Sequence, residues 1–324
     1  MRRRDHGYVL VSVLWVVALL TVITLSYHHR ARLDVQAARY SLDASQCRMA
    51  ARGAVERGML ELRNKAALDA VEAAVAGVAL PPLSHLGQPW ARPLDLYVGE
   101  GLLLPGLGFE ADMALVTIED QERFININSA PLAVLEVLPG MSRPVVRRIN
   151  FQRTGTDETG ARSGEGPVAF HDSAELRYLR GVDEDDWFGA GDEPGLRDVL
   201  TVFGDGRINI NTAPRAVLRL LPGSGEDAVG SILTYRNGED GLAGTADDRA
   251  FSDWDRFAEL TQIGGDTLQF LKQHCKFDSD YFKITGTVTR RGGRIRASCA
   301  AVVRIPEGSG TATLVSWTEE SLGS

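Results

Sequence analysis

The chain has 324 residues, is 44% hydrophobic and 24% charged, and carries a formal net charge of −8. That composition is ordinary for a globular protein and leaves room for about two domains beyond any membrane segment. The acidic balance and the scatter of the basic residues argue against a nucleic-acid partner, because affinity for a polyanion comes mostly from Lys and Arg neutralising phosphates.

The first element is the uncharged run Tyr8 to Tyr27, YVLVSVLWVVALLTVITLSY. As an α-helix it rises about 30 Å, enough to cross the hydrocarbon core of a bilayer. Arg2-Arg3-Arg4-Asp5-His6-Gly7 precedes it, and the positive-inside bias keeps such a start cytoplasmic and sends the residues after Tyr27 across. A cleaved signal peptide is one alternative, but its apolar core spans about 7–15 residues and ends in a small-residue site, which Ser26-Tyr27-His28-His29 matches poorly. A plain single-span anchor is the other.

Beyond Tyr27 the helical period continues. Leu33, Ala37, Tyr40, Ala44, Cys47, Ala51 and Ala54 form one apolar stripe, with Arg32, Arg39, Arg48, Arg52 and Arg57 off it. No proline falls between residues 8 and 80, so one helix is expected to reach Val71 or beyond, to about residue 78. Pro81-Pro82 and Gly87-Gln88-Pro89 end it. Strand-like runs follow at Leu94–Val98, Met113–Glu119 and Arg123–Ile127, then at Tyr281–Thr289, Ile295–Ile305 and Thr313–Thr318, with a turn at Arg290–Gly293. Residues 128–278 read as helices and long loops. The expected fold class is therefore α+β: an N-terminal transmembrane α-helix packed on a small antiparallel β-sheet, with a large inserted, mainly α-helical domain. The divisions are 1–7 (leader), 8–27 (span, continuing as helix to about 78), 79–126 with 279–324 (α/β unit) and 127–278 (insert).

The insert contains a repeat. Asn126-Ile127-Asn128-Ser129-Ala130-Pro131, Leu135 and Leu138-Pro139-Gly140 recur 83 residues later as Asn209-Ile210-Asn211-Thr212-Ala213-Pro214, Leu218 and Leu221-Pro222-Gly223. Ser129 and Thr212 are cap candidates, each proline suits a first helical turn, and Pro-Gly stops the helix. The following stretch, Gly223 to Arg236, resembles a helix-hairpin-helix, whose glycines can offer backbone N–H groups to a phosphate. Glu226 and Asp227 just after the hairpin would repel one.

Residues 237–249 interleave carboxylates with glycines, the oxygen-rich, flexible composition that a calcium ion needs. The spacing excludes an EF-hand. Either this is a solvated acidic loop or Asp240, Asp247 and Asp248, with the carbonyls of Leu242 and Thr245, hold the ion. Asp183-Glu184-Asp185-Asp186 reads as a solvated helix start. Of three cysteines, Cys275 and Cys299 can form a disulfide on the translocated side, leaving Cys47 as a small buried residue, or all three stay free. No nucleophile–base arrangement, P-loop or metalloprotease motif is present and the histidines are scattered, so no catalytic site is nominated and a non-enzymatic role is expected.

The leader Gly7-Tyr8-Val9-Leu10-Val11-Ser12 resembles that of type IV pilin-like proteins, in which prepilin peptidase cuts after the glycine. Ser12 stands where those proteins usually carry glutamate, a departure characteristic of the minor pseudopilin K of type II secretion. A carboxylate inside a membrane helix is costly without a partner, thought in pilins to be the amino terminus of a neighbouring subunit, and a subunit with nothing above it has no such partner to satisfy. The duplicated Asn-rich turn, Arg153 and Arg236, and the segments Phe170–Leu176 and Phe251–Leu260 extend the resemblance over nearly the whole chain. It implies a pilin-like fold, cleavage between Gly7 and Tyr8 with methylation of the new terminus, and residence in the inner membrane with the bulk of the chain periplasmic. It further implies a place at the pseudopilus tip, calcium (Ca2+) in the inserted domain, and as partners the minor pseudopilins I and J (also H), the inner-membrane assembly platform, the peptidase and secreted substrates. The alternative is a membrane-anchored helix-hairpin-helix DNA receptor of a competence system.

Overall fold

The computed structural model describes residues 6–76, 83–96, 111–156, 166–191, 193–306 and 311–323. Arg2, Arg3, Arg4, Pro81, Pro82, Tyr97 and Val98, invoked above, lie outside them. Helix α1 runs His6–Ala76 without a break. It is followed by β1 (Leu94–Asp95) and β2 (Met113–Asp120). The insert then contributes β3 (Ile125–Asn126), α2 (Leu132–Leu135), α3 (Arg143–Thr154), a 3-10 turn at Ser173–Tyr178, α4 (Glu184–Phe188), α5 (Leu196–Val199) and β4 (Leu200–Thr201). Its second half repeats the plan with β5 (Ile208–Asn209), α6 (Arg215–Arg219), α7 (Glu226–Arg236), α8 (Trp254–Thr261), α9 (Gly265–His274) and β6 (Cys275–Lys276). Three long strands close the chain: β7 (Tyr281–Arg290), β8 (Ile295–Arg304) and β9 (Thr313–Gly323).

The expected α+β architecture is observed. Strands β1-β2-β7-β8-β9 form one antiparallel sheet in that order. Inward residues alternate along it, as Ala114, Val116 and Ile118, then Phe282, Ile284 and Val288, then Ala297, Cys299, Ala301 and Val303. They meet a seam of small residues on α1, namely Cys47, Ala50, Ala51, Ala54 and Val55, with Leu62 above. Small side chains let helix and sheet approach closely. A Cβ added at Gly286 would lie 2.5 Å from the Ala51 carbonyl oxygen. Leu33 and Ala37, expected on the buried stripe, are exposed, because the sheet covers the helix only from about Tyr40 onward. Asp43 fixes the lower edge, pairing with Arg290 at 2.8 Å and Arg291 at 2.5 Å.

Three expectations need correction. Residues 123–127 do not join the main sheet. After a 3-10 turn at Gln121–Arg123, only Ile125–Asn126 is extended, and it pairs in parallel with Leu200–Thr201 inside the insert. The last strand extends to Gly323, beyond Thr318. Ser129 and Thr212 cap no helix, since Pro131 and Pro214 occupy the N-cap positions of α2 and α6. The Thr212 hydroxyl is drawn away to Asp120 instead.

A second core fills the insert, from Ile125 to Phe277, around Leu135, Ile149, Leu176, Leu218, Phe251 and Phe257. Each repeat closes on itself: β3, at its start, pairs with β4, at its end, and β5 pairs likewise with β6. Gly140 and Gly223 adopt φ of +67° and +74°, the left-handed geometry with which the Pro-Gly pair turns the chain between α2 and α3 and between α6 and α7.

Candidate functional site

The apolar side chains of the first span face outward with no protein over them, from Tyr8 at 83% exposed to Tyr27 at 76%. This helix is long and apolar enough to cross a membrane. Three of its hydroxyls are satisfied within the helix: Ser12 donates to the Tyr8 carbonyl at 2.9 Å, Thr21 to Val17 and Thr24 to Leu20, each at 2.7 Å. Ser12 therefore demands no partner from another chain. Gly7 and Tyr8 lie in the first turns of α1.

Where the two cores meet, the chain builds a buried polar joint that sequence reasoning missed. Asp120, at the end of β2, accepts bonds from the Thr212 hydroxyl (2.5 Å), the Ser279 hydroxyl (2.6 Å) and the Asn209 amide (3.2 Å). Glu122, two residues on, accepts the backbone N–H groups of Asp205 (2.9 Å) and Asp280 (2.7 Å) and pairs with Lys276 at 2.8 Å. Burial pushes the carboxyl of Asp120 up, and holds that of Glu122 up at about 6 in spite of the Lys276 ammonium. Both strands that enter and leave the insert are thus tied to its second repeat. The signal available was the run Asp120-Gln121-Glu122 at the end of an alternating strand, which also reads as a turn.

The repeat has one internal mechanism used twice. Asn128 exchanges hydrogen bonds with the backbone of Phe170 in both directions (3.0 and 2.8 Å), as Asn211 does with Phe251 (2.9 and 2.8 Å). Arg153 donates to the carbonyls of Ile127 and Ala130, and Arg236 to those of Ile210 and Ala213. Burial depresses both guanidinium pKa values, that of Arg236 to about 10. The hairpin glycines are covered from within: a Cβ on Gly140 would run into the Asp186 carboxylate, and one on Gly223 into Thr267. A phosphate approaching Gly140 would meet Asp186 first.

The acidic loop brings its residues together without making a coordination shell. Asp247 accepts from the backbone of Glu239 (2.6 Å) and Asp240 (3.2 Å) and from the Thr245 hydroxyl (2.7 Å), Asp240 from the backbone of Leu242 (2.7 Å), and Asp248 from that of Gly244 (2.8 Å). The Thr245 hydroxyl, then the two amides, hold Asp247 down at about 2. Among the described residues no three His, Cys, Asp or Glu side chains are placed to share a metal ion. The three carboxylates are engaged by N–H and hydroxyl groups of the loop itself. The loop leans on the segment before β1, where Arg92 donates to the Gly244 carbonyl at 3.2 Å.

The three cysteines are buried and free. The Cys275–Cys299 bridge is not formed, because Cys275 belongs to the core of the insert and Cys299 to the core between sheet and α1. Burial pushes their thiols up to about 12 and about 11.

No family model matches the sequence, and no curated protein matches it. Among solved structures, the chain is similar to one described as the GspK-GspI-GspJ complex of the type 2 secretion system of enterotoxigenic Escherichia coli. The similarity is 18% identity over 90% of this chain and 99% of that one, with a TM-score of 0.49.

Proposed function

We propose that this chain is a minor pseudopilin of the K type, a non-enzymatic tip subunit that primes the pseudopilus of a type II secretion system and supports export of folded periplasmic proteins. The observation that carries the reading is the stem. Twenty uncharged residues follow Gly7, and the hydroxyls of Ser12, Thr21 and Thr24 are bonded inside their own helix. That helix continues unbroken into a sheet-bearing head. Such a stem anchors a subunit from below and presents no intramembrane charge to a neighbour above. The proposed partners are I- and J-like subunits, and also H, with the assembly platform and prepilin peptidase at the inner membrane. The chain is expected to cross once, N-terminus inside.

Mixing detergent-solubilised full-length protein with purified I- and J-like subunits tests the reading. A stable complex on size-exclusion chromatography supports it, and three separate peaks, with or without calcium, would sink it. Calcium binding by residues 239–248 is a separate proposal, supported by composition and resemblance. It requires Asp240, Asp247 and Asp248 to exchange loop N–H groups for the ion. Calorimetric titration checks it, with heat expected from the wild type and none from an Asp240→Asn/Asp247→Asn/Asp248→Asn variant.

A further inference from the structure

On the sheet face turned away from α1, beneath the insert, runs a cleft of about 510 Å³. It adjoins a hollow of about 300 Å³, and Glu119, Arg123 and Lys283 bound both. Together they cross from β2 over β7 and β8 to the Ser316 and Thr318 hydroxyls of β9. Three strand spacings make about 15 Å, the length of about four extended residues. Clefts of this volume at the junction of two structural units are where ligands commonly sit.

The charges in the cleft are unequally committed. Asp172 accepts the backbone N–H of Ala174 (2.9 Å) and Asp198 that of Gly195 (3.0 Å), so both acids serve the insert's own turns. Glu119 lies beside the Gln121 amide at 3.5 Å. Arg197 pairs with Asp198 at 3.4 Å, whereas Arg123 and Lys283 are less committed. The Nε of Arg123 is buried with no hydrogen-bond partner, and its nearest carboxylate, Glu119, lies 3.8 Å from Nη1. Lys283 stands opposite Glu119 across the β2–β7 pair, on the same sheet face, with no ion pair within 4 Å among the described residues. A buried guanidinium nitrogen without an acceptor is destabilising, and an incoming carboxylate would relieve it.

We propose that this cleft binds an extended acidic segment of another polypeptide, seated across β2, β7, β8 and β9, with a carboxylate of the segment accepting from Arg123 and Lys283. The buried, unpartnered Nε of Arg123 selects a carboxylate. The row of strand hydroxyls and the in-line shape select an extended chain over a compact ligand. The inference stands apart from the pseudopilin reading, since it rests only on the cleft.

The test uses the full chain in detergent micelles and a fluorescein-labelled octapeptide of alternating Thr and Glu, followed by polarisation. Binding should weaken with salt, and should be about tenfold weaker for the matching Thr-Gln peptide or for Arg123→Gln. Lys283→Gln, at an exposed position, should reduce it several-fold with folding untouched. Arg304→Gln, which lies off the cleft over the Tyr281 ring, should leave it unchanged. Equal binding of the Thr-Gln peptide, or full affinity in both cleft variants, would overturn the proposal. Displacement by glutarate at the peptide's own concentration would overturn the polypeptide assignment in favour of a small carboxylate.

Discussion

Arg153 and Arg236 each hold two carbonyl oxygens in place of an acid. Arg236, 4% exposed, spans the Asn-rich turn from within the core, and Arg153 does the same in the first repeat with more solvent around it. Hydrogen bonds from charged donors contribute about 1.5–3 kcal/mol each. Arg236→Ala is accordingly expected to lower stability by about 3–5 kcal/mol in urea denaturation, and Arg153→Ala by less. Glu122 gives a pH signature of unusual sign. Its folded pKa of about 6 lies above the 4.5 of a free glutamate, so the ionised form is the costlier one in the fold. Stability from this group rises as pH falls through 6 and is fully gained below 4.5. The stability of wild type relative to Glu122→Gln should therefore grow between pH 7 and pH 4, as read by denaturation at each pH.

At the scale of elements, the contact between α1 and the sheet depends on what is missing from it. Gly286 faces the helix backbone, so Gly286→Val is expected to cost about 3 kcal/mol or more through overpacking. Gly53, on the same helix but with nothing within 4 Å, should do the opposite: Gly53→Ala gains up to about 1 kcal/mol of helix propensity. Paired thermal melts decide both. The helix, strands β7 and β8 and the repeat were legible in sequence because each carries a period or an identity over about ten residues or more, whereas only the first half of β9 was read. The strands β3 to β6 were not, since two-residue parallel pairings such as Ile208 with Cys275 leave no alternation to read. The Asn-rich turn was visible as a pattern, yet its use of Asn211 to grip Phe251 required the partner 40 residues away. The Glu122–Lys276 pair, far apart in sequence, was invisible for the same reason.

For the molecule as a whole, two cores share one chain and one polar joint. The stem sets the expected processing. Mass spectrometry of protein made with its own prepilin peptidase should find Tyr8 as the first residue. A chain starting at Met1 or after Ser26 would contradict the proposed route.

Strands β2 and β7 are direct neighbours, with Asp120 opposite Phe282, although the entire insert separates them in sequence. Topologically the insert is an oversized tip on an ordinary β-hairpin. The entropy of closing a loop grows only with the logarithm of its length, so the sheet is nearly indifferent to what is spliced there. Cutting out residues 121–281 and joining the ends through Asn-Gly, a dipeptide suited to a two-residue hairpin, should leave α1 and all five strands intact. A lineage could thus exchange, enlarge or discard the headpiece while the helix-and-sheet portion stays unchanged.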